Sequence, residues 1–70
     1  MNTNELKAQM ARHGDTLDDL AKALIRSKTS ICEKVNGKRN FTQSEITTIK
    51  QRYSLTSDEI DLIFFDLKVD

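Results

Sequence analysis

The stretch TLDDLAKALIRSKTSICEKVNGKR, residues 16–39, decides how the rest of the chain reads. Thr16 is a short hydroxyl residue just before an apolar-periodic run, the position of a helix N-cap. Asp18 and Asp19 follow in the first turn, where the helix dipole favours negative charge. Leu17, Leu20, Ala21 and Leu24 recur at i, i+3, i+4 and i+7, which is one face of a helix. Ser27 is placed to cap a second helix, on which Ile31 and Val35, four residues apart, form a single apolar stripe. Asn36-Gly37 stops that helix, because glycine takes the left-handed conformation that closes a helix end. Two short helices joined by a few residues make a helix-turn-helix pattern.

The flanks continue in the same style. Before the stretch, Asn2 can cap a helix with Glu5 as its capping-box partner, Leu6 and Met10 form the inner face, and Gly14 ends it. His13, near that end, reads as a solvated residue favouring the negative helix terminus. After the stretch, residues 38–41 form a basic loop. Thr42-Gln43-Ser44-Glu45 is a capping box, with Phe41 and Ile46 placed as a hydrophobic staple. Ile46, Ile49 and Tyr53 make the next inner stripe. Thr56-Ser57-Asp58-Glu59 repeats the box, with Leu55 and Ile60 as its staple. The expected fold is all-α: a compact bundle of about five short helices, over about 3–12, 16–24, 28–35, 42–53 and 57–66, in a single domain spanning 1–70.

Seventy residues hold one domain and a core that supplies only about 3–5 kcal/mol without a staple or partner. One cysteine, Cys32, allows no internal disulfide and no cysteine cluster for a metal; it reads as a small helix residue. No run is long enough to span a bilayer and the start reads as polar and helical, so a cytoplasmic protein with no membrane partner is expected. With one histidine, one cysteine and no glycine-rich loop, there is no triad, phosphate loop or zinc set. No enzyme, no cofactor, no metal and no small-molecule substrate are expected. Net charge is zero, yet it is unevenly spread. Residues 22–39 carry six basic residues (Lys22, Arg26, Lys28, Lys34, Lys38, Arg39) against Glu33, a balance of +5. Residues 56–70 carry five acidic residues against Lys68, a balance of −4. Basic charge on the second helix of such a motif points to nucleic acid.

The pieces T-L-D-D-L-A-K-A-L, S-K-T-S-I and V-N-G-K-R resemble the DNA-binding domain of phage Cro and repressor proteins, the lambda-repressor-like or XRE family. With a helix before and two after, the resemblance covers most of the chain. The turn departs from the family pattern. Where the family has glycine followed by an aliphatic residue, this chain has Ile25 and Arg26, and a β-branched residue resists positive φ. Either the turn is built differently, or Ile25 is strained, or the first helix of the pair runs longer. The resemblance implies a small phage-type transcriptional regulator that binds double-stranded operator DNA through a recognition helix over 28–35. The start of that helix meets base edges in the major groove. Lys28, Thr29, Ser30 and Glu33 face outward and are the candidate base contacts: Lys28 to guanine, the Thr29 methyl to thymine, Glu33 to cytosine N4. Thr16, Lys34, Asn36, Lys38 and Arg39 are the candidate phosphate contacts, which position the protein without reading sequence.

The last helix has more apolar surface than one small domain can cover. Ile60, Ile63, Phe64 and Leu67 share the face that closes the core, while Leu62, Phe65 and Val69 lie roughly opposite and form a candidate surface for a partner or a dimer. A homodimer would double the DNA contacts and match a palindromic operator. A different reading shares this surface: an antirepressor, a modulator of repression that binds a phage repressor protein and masks or alters its DNA binding. The zero net charge, the turn without glycine and the acidic, doubly apolar last helix favour it.

Overall fold

Four of the five helix starts are built from one device. In the computed structural model, which describes residues 1–65, the helices are α1 (Thr3–Arg12), α2 (Leu17–Leu24), α3 (Lys28–Val35), α4 (Gln43–Tyr53) and α5 (Ser57–Phe64). Thr16, Ser27, Thr42 and Thr56 each stand in extended backbone, and each hydroxyl accepts the amide three residues on. Asp19, Glu45 and Glu59 return the bond to their caps, which completes three capping boxes. Asn2 caps α1 in the same way. Glu5 does not return the expected bond, however; its carboxylate lies 4.0 Å from Arg12 instead. The α5 helix ends at Phe64, two residues short of the expected 66, and Leu67 and Val69 lie outside the described residues.

The helix ends also share one construction. Gly14, Ile25, Gly37 and Ser54 all take positive φ just past α1, α2, α3 and α4. The amides that follow, of Asp15, Arg26, Lys38 and Leu55, reach back to Met10, Ala21, Glu33 and Lys50 carbonyls at 2.9–3.0 Å. This is the Schellman closure, which satisfies carbonyls that a helix end otherwise leaves bare.

The apolar stripes meet in one core. Leu6, Leu20, Ile31, Val35, Ile49 and Ile63 are fully buried, with Met10, Leu24, Phe41, Tyr53, Leu55 and Ile60 around them. α2 packs on α3 and α4, while α1 packs on α3 and α5. Ile46 and Phe64 are half-buried at the edge, and Phe64 stands edge-on to Phe41 with ring centroids 5.6 Å apart. The radius of gyration, 11.1 Å, is that of a compact chain of this length (about 11 Å).

Polar links tie the ends together. The Asn2 amide donates to the Ile63 carbonyl at 2.6 Å, and Gln9 Nε2 donates to Glu59 at 3.2 Å. Arg52 grips Asp15 through Nε and Nη2 at 2.6 and 2.8 Å, and Tyr53 donates its hydroxyl to the same carboxylate at 2.7 Å. His13 is exposed, yet its ring stacks on Tyr53 at 4.8 Å rather than standing free in solvent. The deepest link joins α3 to α4. Lys34 Nζ donates to both oxygens of Glu45 at 2.8 Å, and both side chains are almost wholly buried. Glu45 also accepts the Thr42 amide at 2.8 Å and faces Arg26 Nε at 3.4 Å.

Two outcomes follow for stability. Lys34→Met leaves the Glu45 carboxylate buried without its main partner, a loss of about 3–5 kcal/mol, which a domain this small cannot absorb. Circular dichroism should find Lys34→Met largely unfolded at 25 °C, and Lys34→Met with Glu45→Gln largely refolded, because the glutamine keeps the cap without a charge. A folded single variant would show that the pair is dispensable. The second outcome concerns acid. Burial alone would raise the Glu45 pKa, but the bonds from Lys34 and Thr42 outweigh it and hold the carboxyl below its ordinary 4.5. Arg52 foremost, then Tyr53, hold Asp15 below its ordinary 3.8. Depressed folded values mean that this stability is complete above the ordinary carboxylate range and is lost as pH falls through the folded values. The thermal midpoint should therefore hold from neutral pH down to that range and fall steadily below it. A midpoint that rises on acidification through 4.5 would reverse the assignment.

Candidate nucleic-acid interface

α3 divides its residues between two sides. Ile31, Lys34 and Val35 go inward and are buried. Lys28 and Thr29 are exposed, and Ser30, Cys32 and Glu33 are half-buried. Lys28, Thr29, Cys32, Glu33, Asn36 and Lys38 line one shallow depression on the outer side. Three of the four candidate base contacts, Lys28, Thr29 and Glu33, are therefore brought together. Ser30 sits apart from that depression, with its amide held by the Ser27 hydroxyl at 3.2 Å. Cys32 was not among the candidates. Its spacing, four residues from both Lys28 and Asn36, was the available signal.

The charges around α3 are partly engaged. Lys28 Nζ lies 3.6 Å from Asp18, an exposed pair of small energetic value. Asn36 turns its amide group back on its own helix, donating to the Cys32 carbonyl at 2.9 Å, with the sulfur 3.4 Å away. Lys38 and Arg39 are exposed and make no ion pair among the described residues. Their loop is set by Gly37, whose φ of +81° suits glycine, and whose Cβ, if it had one, would stand 3.3 Å from Thr3 Cγ2.

Two of the five candidate phosphate contacts are corrected. Lys34 is 4% exposed and held by Glu45, so it cannot reach a ligand. The signal was in the register: position 34 lies beside Ile31 and Val35 on the inward face. Thr16 offers no free donor, because its amide and its hydroxyl both donate to Asp19 at 3.0 Å. Those two bonds hold the Asp19 carboxyl below its usual range. The start of α2 thus already carries its own anion. Asn36, Lys38 and Arg39 remain beside the end of α3.

The turn between α2 and α3 resolves its three alternatives. α2 ends on schedule, and Ile25 itself takes the left-handed conformation, φ 56° and ψ 52°. Its side chain is 84% exposed. Arg26 braces the turn: Nη1 donates to the Ile25 carbonyl at 3.1 Å while Nε faces Glu45. Leu62 on α5 and Phe65 at its C-cap are 43% and 54% exposed, and Val69 lies outside the described residues. Among the described residues no group of three or more His, Cys, Asp or Glu could hold a metal, and no helix is long and apolar enough to cross a membrane.

The left-handed Ile25 gives a direct test. Strain of about 1–2 kcal/mol falls on an L-residue there, and glycine removes it at an entropic cost of somewhat less. Since Ile25 buries almost nothing, Ile25→Gly should stabilise by about 1 kcal/mol, raising the thermal midpoint by about 4–8 °C. Ile25→Val, still β-branched, should leave it unchanged. A midpoint lowered by the glycine would mean that Ile25 contributes packing after all.

No family model, no curated protein and no solved structure matches this chain.

Proposed function

We propose that the chain is a small phage-type transcriptional regulator of the Cro and repressor kind, acting in the cytoplasm and binding operator DNA through α3. The observation that supports this most is the outer side of α3. Lys28, Thr29 and Glu33 rim one depression on a short helix whose opposite side is fixed in the core. A donor, a methyl-bearing hydroxyl and an acceptor there are the groups that distinguish base pairs in the major groove. Lys38 and Arg39, exposed and unpaired among the described residues at the far end of the helix, suit phosphates. α2 packs on α3 and is joined to it by the short turn at residues 25–27, an arrangement that suits the two helices of such a motif. One module makes few contacts, so a second copy is part of the proposal.

A second reading has its own observation. Leu62 is exposed on α5, and Phe65 at its C-cap, and the charged residues of that helix are all acidic, Asp58, Glu59 and Asp61. Such a surface fits a basic DNA-binding protein, as an antirepressor would.

Titration onto fluorescent DNA enriched from a random pool by the protein itself, at about 50 and 200 mM salt, separates the two. The DNA reading expects affinity that falls steeply with salt. Lys38→Ala should weaken all sequences alike and lower the salt slope by about 1, whereas Glu33→Ala should change preference at one position by about 1–3 kcal/mol. A folded protein that enriches no sequence and binds at neither salt would sink the DNA reading. Unchanged preference in Glu33→Ala would remove that residue from base contact.

A further inference from the structure

Three large apolar side chains are exposed among the described residues, and they occupy two places: Ile25 at the tip of the α2–α3 turn, and Leu62 on α5 with Phe65 at its C-cap. The two places differ in charge. Ile25 is flanked by Lys22, Arg26 and Lys28, of which Arg26 and Lys28 are 46% and 62% exposed while facing Glu45 and Asp18. Leu62 follows Asp61 and lies one helical turn from Asp58, on a helix with no basic residue, and Phe65, three residues on at the helix C-cap, borders a hollow with Met1, Asn40 and Phe41.

Ile25 is the harder of the two to explain locally. It holds a left-handed conformation that a β-branched side chain resists, and it packs on almost nothing. The strain is sustained by the surroundings, through Arg26 and Glu45, and it presents an isoleucine to solvent. An exposed strained residue with no local packing role is a reason to look for a contact elsewhere. An apolar knob in a basic setting and an apolar face in an acidic setting are complementary in both respects, and one chain carries both.

We infer that the Ile25 turn of one copy docks on the Leu62–Phe65 face of α5 of a second copy. The contact joins two different surfaces, so it is head-to-tail, and it leaves an unused knob at one end and an unused face at the other. Such contacts extend into open chains unless the rotation closes a ring. It needs no DNA and stands apart from the proposed function.

The test is complementation in solution. Sedimentation velocity over a wide concentration range should find wild-type protein growing past the dimer. Ile25→Gly, in the conformation glycine prefers, and Leu62→Gln, a helix-compatible polar change, should each weaken association at least about tenfold, as expected for an apolar side chain that loses its buried site. Circular dichroism confirms that each is folded, and Phe65→Ser replaces Leu62→Gln if that variant is not. Mixed in equal amounts, the two variants should form a discrete heterodimer, because each retains the surface that the other lacks. Three results overturn the inference: a wild-type protein that is monomeric throughout, an Ile25→Gly protein that associates like wild type, or a mixture that stays monomeric. A symmetric α5–α5 dimer would give the second of these and not the first.

Discussion

The bidentate contact between Lys34 and Glu45 fixes where everything else can be. It carries two charges into a core built from short helices, and it ties α3 directly to α4. An apolar pair in its place would slide with little penalty, since apolar contact is non-directional. A carboxylate held by an ammonium group, the Thr42 amide and the Arg26 guanidinium has far fewer acceptable arrangements. Every buried side-chain nitrogen and oxygen among the described residues has a partner. That completeness decides whether a buried polar cluster specifies a structure or weakens it.

Glu45 does three jobs at once. It closes the capping box of α4, neutralises Lys34 on α3 and faces Arg26, which braces the turn after α2. Through this one residue the start of α4 is coupled to both helices of the proposed DNA-reading unit. The strain at Ile25 is tolerable for the same reason. The turn is held from one side by the Schellman bond of the Arg26 amide to Ala21, and from the other by the guanidinium of the same residue. Among the described residues Ser54 is the other non-glycine residue with positive φ, and it has a short polar side chain, which makes Ile25 the demanding case.

What the sequence made legible was local. Caps, boxes and stops are rules about residues three or four apart, and they placed all five helices to within two residues. Leu6, Leu20, Ile31, Ile49 and Ile63 were readable from 3.6-residue periodicity alone. What stayed hidden joins residues far apart in the chain. Lys34 and Glu45 are separated by 11 positions, Asp15 and Arg52 by 37, and Gln9 and Glu59 by 50. Periodicity counts apolar side chains, so it passes over a lysine at an inward position and assigns it to the surface with the other cations. The candidate phosphate contacts failed at Lys34 for that reason. At Thr16 the failure was different: the same acidic first turn that identified the helix start also occupied its donors.

A net charge of zero describes the chain but no part of its surface. Much of the acid is committed to helix starts, where Asp19, Glu45 and Glu59 serve as returning arms of capping boxes. Part of the base is committed to acid: Lys34 in the core, Arg26 at the turn, Lys28 weakly beside Asp18. Lys38 and Arg39, at the end of α3, are left without ion-pair partners among the described residues. They follow the Gly37 closure, whose left-handed backbone stands beside Thr3. The +5 balance of residues 22–39 is therefore an upper bound on the field that a phosphate backbone would meet, and the part outside ion pairs among the described residues is Lys22 on α2 with Lys38 and Arg39 at the end of α3. An anion drawn to that end would meet cations that are not already paired with carboxylates, and one of them, Lys38, also lines the outer depression with Lys28 and Glu33. Under the proposed function that end would supply position and the outer side discrimination, the way phosphate and base contacts separate in groove-reading helices.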